Sequence, residues 1–82
     1  MIKLDIKVKI EEGLHSRYAV RLVEVVRSSE SNIKMIHKGN IINPKSIISI
    51  LSSSIIKNDD IIFEIDGKDE SYVSELIKDI FK

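Results

Sequence analysis

The segment Gly13-Leu14-His15-Ser16-Arg17-Tyr18-Ala19 carries the residues of this chain best equipped for chemistry. A glycine closes an alternating apolar stretch, a histidine follows, and an arginine comes two residues later, where a helical pattern starts. That spacing predicts an imidazole and a guanidinium beside the unpaired N–H groups of a helix N-terminus, where phosphate is readily held. Histidine side chains titrate at about pH 6.5, so a neutral, nucleophilic imidazole is plentiful near neutral pH. A histidine so placed can take up a phosphoryl group and hand it on. Ser46, after Pro44, is the second polar residue at a predicted helix start, and its hydroxyl suits an N-cap.

The elements that must position these groups are legible from periodicity. Ile2, Leu4, Ile6, Val8 and Ile10 alternate with Lys3, Asp5, Lys7 and Lys9, which predicts a strand over 2–10 with one buried face. Ala19, Leu22, Val23 and Val26 recur at helical spacing and predict an amphipathic helix from about Ser16 to Ser28. Ile33 and Met35 open a second strand running to about His37, Lys38-Gly39-Asn40 reads as a hairpin turn, and Ile41-Ile42-Asn43 as a third strand. A short helix follows Ser46 and ends among Ser52-Ser53-Ser54. Lys57–Asp60 makes a turn, and Ile61, Phe63 and Ile65 a fourth strand. After Asp66-Gly67, a last helix starts near Asp69 with Val73, Leu76, Ile77 and Ile80 inward. The order βαββαβα predicts an α+β open-faced sandwich, a four-stranded antiparallel sheet with three helices on one face. Its outer face should carry Lys3, Lys7, Lys9, Lys34 and Glu64.

Length and composition narrow the function classes. Eighty-two residues suit one domain spanning 1–82, which buries only about 60% of its unfolded surface. The 43% apolar content, rich in isoleucine, argues against disorder. Thirteen basic residues balance 13 acidic ones, so binding to nucleic acid or an anionic membrane through bulk charge is not expected. RNA binding by the sheet is further disfavoured by only two Phe and two Tyr, with no aromatic pair on one strand. Without cysteine there is no disulfide, thiolate chemistry or zinc finger. The charged N-terminus is unlike a signal peptide or membrane span, so a cytoplasmic location without membrane insertion is expected.

Two placements, of the isoleucines after Ser46 and of His37, depend on the tertiary structure. Ile47, Ile48, Ile50 and Leu51 span too much of a short helix to be buried together. Ile50 is expected inside; Ile48, with part of Ile47 and Leu51, should form an exposed docking patch near Val20 and His15. His37 has no carboxylate or second histidine at ligand spacing, which predicts a structural or edge residue and no metal site.

The chain resembles HPr, the histidine phosphocarrier family of the bacterial phosphoenolpyruvate:sugar phosphotransferase system, over essentially its whole length. Gly13, His15, Arg17 and Ala19 resemble the family's phosphohistidine motif, and Asn43-Pro44-Lys45-Ser46-Ile47 its second signature, with the regulatory serine. Gly39 and Gly67-Lys68-Asp69-Glu70 match the family pattern as well. The resemblance implies the βαββαβα fold and a phosphoryl carrier rather than an enzyme with its own turnover, needing no cofactor or metal. It implies that His15 accepts phosphate on Nδ1 from Enzyme I, with Arg17 assisting, and passes it to Enzyme IIA domains. It also implies that Val20, Ile47, Ile48 and Leu51 meet those partners. HPr kinase/phosphorylase and a catabolite-control transcription regulator are the further partners implied for Ser46, and a monomer is expected. The alternative is a regulatory binding module with reduced phosphotransfer. The chain departs from the family pattern at Tyr18, usually proline, at Ser54, commonly glycine, and at Ile48 and Leu51, often methionines.

Overall fold

The computed structural model describes residues 1–82. Strand β1 runs over Ile2–Lys7, helix α1 over Ser16–Ser28, β2 over Asn32–His37 and β3 over Asn40–Ile42. Helix α2 spans Ile47–Ser52, β4 Asp60–Asp66 and α3 Glu70–Ile80. The sheet order is β1-β4-β2-β3, antiparallel throughout. The α+β open sandwich expected from periodicity is therefore the observed fold.

Alternation selects the inner face. Ile6, Met35, Ile61, Phe63 and Ile65 are buried there, and α1 covers them with Ala19, Leu22, Val23 and Val26. Helix α3 adds Val73, Ile77 and Ile80, while Leu76 is only half-buried. Phe81, one residue past α3 and not assigned to the core by the sequence reading, is buried with its ring 6.1 Å from that of Phe63. Its spacing of four from Ile77 carries that signal.

The first strand is shorter than the 2–10 alternation predicts. Lys7 pairs with Asp60, the first residue of β4, and there the ladder ends. Val8 and Ile10 remain buried. Val8 keeps two backbone bonds to the turn before β4, donating to Asp59 O at 2.8 Å and accepting from Asn58 N–H at 2.7 Å. Burial alternation thus outlasts the strand by three residues. The β2–β3 hairpin turns on two residues, Lys38 and Gly39, both at positive φ, so Asn40 belongs to the strand opposite His37 and β3 closes at Ile42.

On the outer face Lys3, Glu64 and Lys34 lie in one cross-strand row, and Lys7 approaches Asp60 at 3.6 Å. Lys9 is exposed but lies beyond β1, so it is not part of the sheet. The face is also less uniformly charged than expected, since Ile62, Ile36 and Ile41 form an apolar row across it.

The end of α1 is clamped to the start of α3. Asp69 accepts hydrogen bonds from the Ser31 hydroxyl, from Glu30 N–H at 2.9 Å and from the Ser29 hydroxyl at 3.3 Å. Ser31 and the Glu30 amide, with Ser29 behind them, hold the Asp69 carboxyl below its ordinary range. Its folded pKa is thus lower than its unfolded one, so the folded state gains stability above the ordinary carboxylate value of about 3.9. That contribution should disappear as pH falls through the depressed folded value. Urea unfolding between about pH 2 and 6 should show the loss, and Asp69→Asn should flatten this acid limb. An acid limb unchanged in the variant would show that the clamp is not its source.

Candidate functional site

Helix α1 begins where the sequence places it, with His15 at the N-cap in extended conformation (φ −97°, ψ −175°). The His15 carbonyl starts the helix by accepting Ala19 N–H at 2.9 Å, yet the imidazole makes no capping bond. Amides in the first turn of a helix have no intrahelical acceptor, and those of Ser16, Arg17 and Tyr18 follow directly on His15. The side chain is 39% exposed, open enough to be approached. Glu12 Oε2 stands 3.7 Å from His15 Nε2. The carboxylate thus lies on the Nε2 side of the ring.

The loop before His15 is set from behind. Gly13 is buried with φ +74°, and Leu14 N–H donates to Ile55 O at 3.1 Å. A Cβ on Gly13 would lie 2.6 Å from Ile55 O and 2.9 Å from Ile56 Cα, both backbone atoms. Gly13→Ala should therefore combine a left-handed strain with a backbone clash, costing about 1–3 kcal/mol in urea unfolding. A variant as stable as the parent would contradict this role of Gly13.

Residues 55–59 hold that loop, and Asp59 organises them. Its Oδ2 accepts Ile56 N–H at 3.1 Å and lies 2.8 Å from His37 Nε2. The Ile56 amide first, then the His37 ring, hold the Asp59 carboxyl below its ordinary range. His37 is therefore structural but not an edge residue, since β2 is paired on both sides and the ring is buried on the inner face. Twenty-two residues separate it from Asp59, so spacing carried no hint of the partner. Alternation with Ile33 and Met35 did signal its burial.

Ser46 caps α2 as expected, its hydroxyl accepting Ser49 N–H at 3.1 Å. Arg27, from the last turn of α1, donates to Lys45 O through Nε at 3.3 Å and Nη2 at 3.1 Å. A shallow groove opens there, with Arg27, Lys45, Ser46, Ile47 and Ile48 along it. Ser54, just past α2, holds a left-handed conformation (φ +55°) that glycine adopts more easily. In α2 Ile50 is fully buried, Ile48 is 80% exposed, and Ile47 and Leu51 are partly exposed, as is Val20 on α1. Ile56, exposed beside Gly13, is a further apolar residue at this end that the sequence reading did not single out. Lacking a periodic neighbour set, it carried no signal.

The family pattern of the PTS HPr component phosphorylation site matches residues 2–82. This chain belongs to the HPr phosphocarrier family of the phosphotransferase system. It is 31% identical over 80 residues to the phosphocarrier protein HPr of Buchnera aphidicola subsp. Schizaphis graminum, covering 98% of this chain and 94% of that one. A Mycoplasma histidine-containing phosphocarrier structure superposes with a TM-score of 0.87 at 28% identity, covering 96% and 90% of the two chains. An HPr structure from Thermoanaerobacter tengcongensis gives 0.89 at 26% identity, with 99% and 91% covered. The HPr fold thus accounts for nearly the whole chain. No helix in it is long and apolar enough to cross a membrane.

Proposed function

We propose that this HPr-family chain, working as one domain in the cytoplasm, accepts a phosphoryl group on His15 from Enzyme I and passes it to Enzyme IIA domains. The observation that carries this reading is the uncapped, partly exposed imidazole at the start of α1, with Arg17 two residues on. In the accepting step the Nδ1 lone pair of His15 attacks phosphorus and an Nδ1–P bond forms. The P–N bond of the donor phosphohistidine breaks, and its electron pair returns to the donor imidazole. No net proton moves, because each ring keeps the N–H on the nitrogen that does not carry the phosphoryl group. Arg17 and the first amides of α1 meet the charge on the phosphoryl oxygens. The bond formed is a high-energy phosphoramidate, suited to onward transfer rather than storage.

Val20, Ile47, Ile48 and Leu51 form the surface on which both partners dock in turn. Their exposure supports this, because apolar side chains left in water at one end of the molecule favour a transient protein contact. Ser46 is the regulatory site, a substrate for HPr kinase/phosphorylase and a contact for a catabolite-control regulator. Phosphorylation would add roughly −1.5 to −2 charges at the start of α2, beside Arg27 and Lys45. That setting tolerates the charge, so the modification acts by repelling an acidic partner rather than by unfolding the domain.

The test is incubation with labelled phosphoenolpyruvate and Enzyme I, followed by addition of an Enzyme IIA domain. Label should appear on the chain in acid-labile, base-stable form and then move to the IIA domain. Absence of label, or label that stays on this chain, would reject the carrier role.

A further inference from the structure

Tyr18 touches both groups of the phosphoryl site. Its ring meets the His15 imidazole edge-on, with centroids 5.0 Å apart and planes at 84°. Its hydroxyl accepts a hydrogen bond from Arg17 Nη2 at 2.8 Å, and the Arg17 Cζ lies 4.9 Å from the ring centroid. The ring itself is half-buried and packs against the hydrophobic core, so it is a fixed post rather than a free surface side chain. Arg17, by contrast, is exposed and has no other side-chain partner. The proline usual at this position in the family has neither a hydroxyl nor a π-face to offer an arginine.

We propose that Tyr18 is a positioning residue that holds the Arg17 guanidinium in place at the start of α1 before the phosphoryl group arrives. A free arginine at a helix end samples many rotamers and must be ordered when it binds phosphate. Here the ring face and the hydroxyl restrict it in advance. The hydroxyl occupies one of five guanidinium N–H donors, so the remainder stay available to phosphoryl oxygens. The same ring supports one edge of the imidazole, which keeps nucleophile and counter-charge in register. This role rests on the phosphocarrier reading, because it needs a phosphoryl group at His15 to act upon.

Tyr18→Phe removes only the hydroxyl and leaves the ring, its core contacts and its edge against His15. It should lower kcat/KM for transfer from phospho-Enzyme I by about fivefold, the loss of one pre-ordered side chain, with an unchanged melting temperature. In an Arg17→Ala background the same substitution should have no further effect, since Tyr18 acts through the arginine. In the unphosphorylated protein, nitrogen NMR relaxation should find Arg17 Nε ordered in the parent and mobile in Tyr18→Phe. Parent-like or faster transfer by Tyr18→Phe would overturn the proposal, faster transfer meaning that the tyrosine restrains the arginine away from the phosphoryl group. An equal loss in the Arg17→Ala background, or an Arg17 as mobile in the parent as in the variant, would overturn it too. A parent that takes no label would reject the phosphocarrier reading and this role together; a labelled parent with an unaffected variant rejects this role alone.

Discussion

His15→Ala is expected to abolish labelling by phosphoenolpyruvate and Enzyme I altogether, because no other side chain at this end of the molecule offers an uncommitted imidazole. His15 is partly exposed at the α1 N-cap, whereas His37 is buried with its Nε2 against Asp59. His37→Ala should therefore still be labelled, although it should unfold at lower urea because Asp59 loses a hydrogen-bonding partner. The two histidines thus separate chemistry from stability. Label on the parent should be released in acid and survive base, as a phosphoramidate requires. Persistent acid-labile label on His15→Ala would falsify the assignment of this residue.

Two adjacent classes of substitution in α2 should differ just as sharply. Ile50 is fully buried, and Ile50→Asp would place an unpaired carboxylate among aliphatic side chains. Such a charge costs about 3–5 kcal/mol, a large share of the roughly 5–15 kcal/mol that holds a domain together. In a domain this small the variant should be largely unfolded, losing near-native circular dichroism and all phosphotransfer. Ile48, two residues earlier and 80% exposed, predicts the opposite pattern for Ile48→Asp. Its melting temperature should stay close to the parent's, while the apparent KM for phospho-Enzyme I rises several-fold, since the proposed docking surface loses an apolar contact and gains a charge. Unfolding of Ile48→Asp would show that α2 leans on the core through that side chain. A folded Ile48→Asp with unaltered transfer would remove the residue from the docking surface.

Local periodicity determined most of this architecture. The bounds of α1, Ser16–Ser28, follow from Ala19, Leu22, Val23 and Val26, because burying one stripe of a helix imposes a repeat visible within a few turns. The division of α2 followed likewise, since four apolar residues cannot all face inward from a six-residue helix. His15, Arg17 and Ser46 were legible because helix starts have short-range signatures. What the sequence could not settle involves partners distant along the chain. The end of β1 at Lys7 is set by where β4 begins, more than fifty residues later, and alternation alone extends to Ile10 because burial does not require ladder pairing. The His37–Asp59 contact, the Asp69 clamp on residues 29–31 and the backbone wall behind Gly13 each join segments through space. Tyr18 lies between the two cases. Its departure from the family's proline was visible in the sequence, but where its ring and hydroxyl come to lie relative to His15 and Arg17 depends on rotamers. Only packing against the core selects a rotamer, and that packing exists only once the sheet and helices have come together.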